Sequence, residues 1–173
     1  DGPQLSEMVD TLKQLEHEGY HFEVADGSLE LLMRNATGWR QDWFHVEEWE
    51  VIVEDARDDE RLSTQAIVRG SADGDAFHEI ATGNGPVNAL DAALRKAIGT
   101  RYPQLDRIHL TDYKVRVLDT HKGTGAVTRV LVDSTDGEET WTTIGVGENI
   151  IEASWQALED SLVYGLLRAE TRS

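Results

Sequence analysis

FHVEEWEVIVED (residues 44–55) and IHLTDYKVRVLD (108–119) decide the fold once one is set above the other. His45 falls on His109, Glu48 on Asp112, Trp49 on Tyr113, Val51 on Val115, Val53 on Val117 and Asp55 on Asp119, at a constant offset of 64. Both copies also change phase at the same place: Phe44 and Val46 lie on even positions, but Trp49, Val51 and Val53 lie on odd ones. Side chains along a strand alternate with a period of two. Each copy is therefore predicted to be a strand with a bulge or break beside its acidic residue.

The duplication extends outward. AIVRGSADGDAF (66–77) matches RVLVDSTDGEETW (129–141): apolar alternation, then a D-G pair, then an aromatic residue. A D-G pair between alternating runs signals a hairpin. ATGNGPVNALDAALRKAI and IGVGENIIEASWQALEDSL follow, with Val87, Leu90, Leu94 and Ala97 in one and Ile151, Ser154, Leu158 and Leu162 in the other at helical spacing. Pro86 suits a first helical turn, where its missing N–H is not needed. Each unit reads strand–strand–strand–helix, and one helix covers one face of a three-stranded sheet, so the two units are expected to pack together. The expected fold is α+β, a tandem repeat of two βββα units (44–100 and 108–168) in a domain covering 44–173. A short helical linker subdomain, residues 1–43, precedes it. There Leu5, Met8, Val9, Leu12 and Leu15 form a helical stripe ending near Gly19, a second short helix fits 27–35, and 36–43 reads as a connector.

With 173 residues, 39% of them hydrophobic, the chain can bury a core. No apolar run is long enough for a membrane span, and DGPQLSEMVD lacks the basic start and apolar core of a signal peptide. The compartment expected is the cytoplasm, and NAT at 35–37 is then a coincidental glycosylation match. A start without Met suggests a piece of something longer. Sixteen basic against 33 acidic residues give a net charge of −17, which disfavours nucleic acid, since phosphate backbones are held chiefly by neutralising them. The lack of cysteine removes disulfides, thiolate metal sites and thiol nucleophiles.

HEGYH (17–21) fits the zinc pattern H-E-x-x-H, which needs both histidines on one continuous helix. Gly19 sits inside the motif, the apolar stripe stops at Leu15, and YHFEV alternates like extended chain. The stretch is read as a helix end, and no metal ligands are assigned. No nucleophile turn is present either, so no catalytic residue is expected. The acidic pairs Glu47/Glu48 and Asp58/Asp59 read as solvated surface. Five tryptophans (39, 43, 49, 141, 155) suit a core or an oligomer interface.

Two glycine turns, GNGPV (83–87) and GVGENI (145–150), precede the repeat helices. Glycine there either permits the strand-to-helix turn or bares N–H groups at a helix start that bind a carboxylate. HKGTGAV (121–127) is a flexible stretch able to fold over a ligand. Leu110, Tyr113, Val117, Val87 and Leu90 are either core or the apolar wall that a small branched amino acid needs, with the Asn88 amide oxygen available to its ammonium.

GNGPVNALDAAL, LTDYKVRVLD…GTGAVTRVLV and WTTIGVGENIIEASWQAL together resemble the C-terminal regulatory domain of the 2-isopropylmalate synthase and citramalate synthase family. LEHEGYHFEVADGSLELLMR is similar to the linker subdomain before it, particularly in the citramalate synthase-like branch. The resemblance implies the regulatory part of an acyltransferase whose catalytic TIM barrel uses a divalent metal and acetyl-CoA on a 2-oxo acid. This fragment would then have no activity and no cofactor of its own. It implies a homodimer that binds an end-product amino acid for feedback inhibition, isoleucine being favoured over leucine. The effector-lining positions it assigns are Leu110, Tyr113, Val117, Val87, Asn88, Thr124, Ala126 and Ile150, to which the anion-binding reading of the first glycine turn adds Gly83 and Gly85. Some relatives carry Asp where this chain has Asn88. A structural dimerisation domain without a working effector site is the alternative, and a double-stranded RNA-binding module or a metal hydrolase are more distant ones.

Overall fold

The computed structural model describes residues 2–56, 58 and 61–173. The order of elements is α1 (Gly2–Glu18), α2 (Asp26–Ala36), β1 (His45–Ala56), β2 (Arg61–Ala72), β3 (Asp75–Gly83), α3 (Pro86–Ile98), β4 (His109–Val117), β5 (Thr128–Thr135), β6 (Thr140–Gly147) and α4 (Ile150–Arg172). Two antiparallel sheets form, β1-β2-β3 and β4-β5-β6, each followed by its helix. The fold is α+β with two βββα units. Register shifts fall between Val46 and Glu48 in one sheet and between Leu110 and Asp112 in the other, where the phase of the sequence changes. The offset of 64 holds between sheets too: Trp49 pairs with Val68 as Tyr113 pairs with Val132.

By contacts the chain divides into two compact units, Gln41–Asp106 and Arg107–Ser173, the latter including the N-terminal segment up to Arg40. In the first unit, Ala66 and Val68 of β2 and Ala89, Leu90, Ala93, Leu94 and Ile98 of α3 are fully buried. Val87 and Ala97, expected on that apolar stripe, are only half-buried, because the buried face is turned toward Ala89 and Ala93. Asp73 (φ 51°) and Gly74 (φ 81°) make the two-residue turn between β2 and β3. Two positive φ values in succession are what a hairpin of this kind demands.

In the second unit both faces of the sheet are covered at β6. On the inner face Val130 and Val132 meet Ala153 and Ala157 of α4, and the buried Trp141 donates its indole N–H to the Ser161 carbonyl at 3.1 Å. Helix and strand approach so closely that a Cβ on Gly145 would lie 1.7 Å from the Ala153 carbonyl oxygen. On the outer face Ile144 and Val146 cluster with Phe22 and Ala25, flanked by Leu12, Leu15, Tyr20 and Leu29. The apolar stripe read from α1 is covered only at its C-terminal end, at Leu12 and Leu15, because the cluster reaches no further along the helix; Leu5 and Val9 are exposed. The free edge of β6 is closed by side chains: Thr142 N–H donates to Asp26 Oδ1 (2.8 Å), Ile144 N–H to Ser28 Oγ (3.0 Å) and Val146 N–H to Gln156 Oε1 (3.2 Å). Unpaired edge groups otherwise invite pairing with another chain.

HEGYH is divided by the helix end. His17 lies in the last turn of α1, Gly19 has φ 120°, and His21 lies beyond, 3.6 Å from Glu23.

Candidate functional site

β4 is the other edge of the second sheet, and it is open. Its inner face carries Tyr113, Val115 and Val117 opposite Val132, Val130 and Thr128, with Leu110 opposite Ser134 before the bulge. The β5 partners are buried, yet Leu110, Tyr113, Val115 and Val117 are 37–44% exposed. Helix α4 covers the middle of the sheet and leaves this strand bare. A contiguous exposed apolar patch marks an interaction or ligand surface more often than scattered single residues do.

Polar groups border the strip. The Tyr113 hydroxyl lies 2.6 Å from Ser154 Oγ, and Ser154 in turn donates to the Ile150 carbonyl at 2.7 Å, so the strand is tied to the first turn of α4. Thr128 pairs with both Val117 and Gly147, which brings the end of β4 and the approach to α4 together. The loop at that end contains a 3-10 turn, Thr120–Gly125, followed by buried Ala126. Thr124 in the loop and Ile150 at the start of α4 are exposed. Tyr113, Val117, Thr124, Ala126 and Ile150 therefore border one end of the second unit. Leu110 belongs to the opposite end of the strand, roughly 10 Å from Tyr113 and roughly 23 Å from Val117 at ~3.3 Å per residue. Val115, absent from the residues assigned by resemblance, lies between Tyr113 and Val117 on the same face. The alternation of the quoted stretch already carried that signal.

Gly83, Gly85, Val87 and Asn88 sit in the first unit, at the start of α3. A Cβ on Gly83 would fall 2.5 Å from the Ala89 nitrogen and 2.6 Å from Asn88 Oδ1, so this turn needs glycine. Gly85 is extended (φ −174°) with open space around it, a conformation any residue adopts. Asn88 Oδ1 accepts the Asn84 N–H at 3.1 Å, so the amide oxygen expected to meet a ligand also closes the turn. The two helix starts differ. Asn149 caps α4 by accepting the Ile151 and Glu152 N–H groups, whereas no side chain caps α3.

The strongest electrostatic perturbation lies elsewhere. Asp160 on α4 accepts a hydrogen bond from Ser28 Oγ at 2.8 Å. Burial pushes its carboxyl up to about 7, Glu159 adds to the rise, and Ser28 opposes it. Glu47 is exposed and Glu48 pairs with Arg69; Asp58 is exposed, and Asp59 lies outside the described residues. Among the described residues no group of three or more His, Asp or Glu side chains could hold a metal ion. No described helix is long and apolar enough to cross a membrane.

The family described as the LeuA allosteric (dimerisation) domain matches residues 23–166. The chain is 48% identical over 168 residues to the (R)-citramalate synthase of Aquifex aeolicus, which covers 97% of this chain and 32% of that protein. It is also 48% identical over 167 residues to the (R)-citramalate synthase of a Synechocystis species, covering 95% and 30%. Similarity to the 2-isopropylmalate synthase of Shewanella frigidimarina is 33% over 93 residues, 54% of this chain and 16% of that protein. The chain thus spans about a third of the length of the citramalate synthases it matches.

Proposed function

The chain belongs to the LeuA allosteric (dimerisation) domain family, and from that membership we propose that it is the effector-sensing part of a citramalate synthase. The whole protein would condense acetyl-CoA with a 2-oxo acid, pyruvate being favoured, on a metal-dependent barrel outside these 173 residues. The effector is a branched-chain amino acid, isoleucine before leucine. Identity supports that order: it is higher and extends further with the citramalate synthases than with the isopropylmalate synthase.

The observation that carries the proposal is the bare inner face of β4. Tyr113, Val115 and Val117 offer dehydration to a branched side chain, while the Tyr113–Ser154 pair and the loop before Ala126 supply polar contacts beside it. The resemblance also assigns Val87 and Asn88 to effector binding, the glycine turn adds Gly83 and Gly85, and the uncapped start of α3 supports an anion-binding role for its N–H groups. The exposed edge strand serves homodimerisation as well, since a second copy would bury both the apolar strip and the edge. Binding that favours one arrangement of this face shifts the attached enzyme, with coupling of about 1–3 kcal/mol typical of such systems. The cap on α4 favours the alternative of a dimerisation domain without an effector site, because Asn149 already occupies N–H groups that a carboxylate would need.

Amide and methyl NMR of the chain titrated with isoleucine tests the location. Saturable shifts at Tyr113, Val117, Ala126 and Ile150 are expected. Saturable shifts confined to other parts of the chain would refute this placement.

A further inference from the structure

The two faces of β4 differ in kind. Val115 and Val117 point to the inner face, so Arg116 between them points to the outer one. Arg116 pairs in register with Arg129 of β5, which puts two guanidiniums side by side. Arg34, Arg95, Arg101 and Arg168 each hold a carboxylate at 2.6–3.0 Å. Arg116 has no such partner among the described residues, and Arg129 donates only its Nε–H, to the Gly19 carbonyl at 2.7 Å. A guanidinium has five N–H donors, so most of this capacity is unspent. The neighbours do not relieve the repulsion. Burial lowers the basicity of Arg129, and the charge of Arg116 lowers it further. In a chain of net charge −17 with 33 acidic residues, an unneutralised arginine pair is an exception that needs a reason.

A groove of about 440 Å³ lies over this pair, with His21 and Val24 on its linker side and Lys114, Leu131 and Asp133 among the residues on its sheet side. Lys114 is spent on Asp112 at 3.2 Å. Asp133 is the carboxylate in the groove, held by the Thr142 hydroxyl at 2.6 Å. It is four residues from Arg129 along the strand, ~13 Å of backbone, and is already held by Thr142 rather than by either arginine. The arginine end is thus net positive, and planar guanidiniums match the oxygens of carboxylates and phosphates in pairs.

We propose that Arg116 and Arg129 form a binding site for a small oxyanion, a phosphate or carboxylate group, on the outer face of β4, opposite the effector face. Its two arginines take no part in the proposed amino-acid site and lie on the other side of the sheet, while Val115 of the effector face borders the groove at its edge. An anion held there bridges the sheet and the linker, because Arg129 already holds the Gly19 carbonyl and His21 lines the same groove.

The test is a titration of the chain with inorganic phosphate and, separately, succinate, followed by NMR of backbone and arginine Nε–H signals at ionic strength held constant with sodium chloride. Saturable shifts confined to residues around 19–24, 114–116 and 129–131 are expected, weakened about tenfold or more by Arg116→Gln, a change at an exposed edge-strand position. Tighter binding of phosphate identifies a phosphorylated ligand, and tighter binding of succinate a carboxylate one; both keep the site. Shifts that grow linearly without saturating, or that are unchanged in Arg116→Gln, would overturn it. Arg129→Lys separates charge from geometry: it keeps the charge but loses the fork, so undiminished affinity would also count against paired recognition. An Arg116→Gln chain that changes oligomeric mass without any anion titration in the parent would mean that protein carboxylates of a second copy fill the groove instead, and would overturn the proposal too.

Discussion

Replacing Asp160 by Asn is expected to make the chain's stability less dependent on pH, with a sign opposite to that of an ordinary salt-bridged carboxylate. Burial holds the Asp160 carboxyl in its neutral form up to about 7, against an ordinary value of 3.8. A raised acid binds its proton in the folded state while the unfolded chain has already lost it. Its contribution to stability is therefore complete below pH 3.8 and is lost as pH rises toward about 7. Each pH unit crossed in that window costs the folded state ~1.4 kcal/mol. Between pH 5 and pH 8 about two such units are crossed, or roughly 3 kcal/mol. Part of the Asp160 surface stays in contact with water although its carboxyl is enclosed, so 2–3 kcal/mol is the working range. Asparagine still accepts the Ser28 hydrogen bond and never ionises. Urea unfolding of both proteins at pH 5 and pH 8 should show the difference in stability moving by about 2–3 kcal/mol in favour of Asp160→Asn at the higher pH. An unchanged difference, or one that moves toward wild type as pH rises, would refute the reasoning.

Gly145→Ala forces a Cβ to within 1.7 Å of the Ala153 carbonyl oxygen and should lower stability by 3 kcal/mol or more, whereas Gly85→Ala, in open space, should leave the melting temperature unchanged or slightly raised. Tyr113→Phe removes the bond to Ser154 and should cost about 1 kcal/mol in denaturant unfolding, while Tyr113→Ala should also weaken isoleucine binding in calorimetry. Val115→Lys places a charge on the apolar strip and should shift the mass measured by light scattering from dimer toward monomer without lowering the melting temperature of the monomer. Asn88→Asp keeps the bond from Asn84 and adds a charge, so it should tighten amino-acid binding several-fold; unchanged affinity would remove Asn88 as the ammonium contact.

Much of this architecture is legible in the sequence because the repeat records it twice. The phase change between Val46 and Trp49 places a bulge that the register confirms, and its copy between Leu110 and Tyr113 confirms it again. D-G pairs mark both hairpins, but by different geometry: Asp73 and Gly74 both take positive φ in a two-residue turn, whereas only Gly137 does in the four-residue loop 136–139. Gly19, also at positive φ, marks the end of α1. Burial was harder to foresee. An apolar alternation such as Tyr113–Val115–Val117 reads as core, and only the width of one helix over three strands decides that β4 is left bare. The role of the linker was equally hidden, since nothing in the α1 stripe tells which sheet it covers. Long-range polar contacts leave still less trace. Ser28 reaching both Ile144 and Asp160 is a meeting of residues over a hundred positions apart, and no local pattern encodes it.

Isothermal titration of the chain with isoleucine, leucine and valine in parallel tests the central claim most directly. The account predicts saturable binding with isoleucine tightest, and stabilisation of about 2.7 kcal/mol in melting curves at 100 times the dissociation constant. No heat and no stabilisation with any of the three would contradict an effector site and leave a dimerisation domain alone.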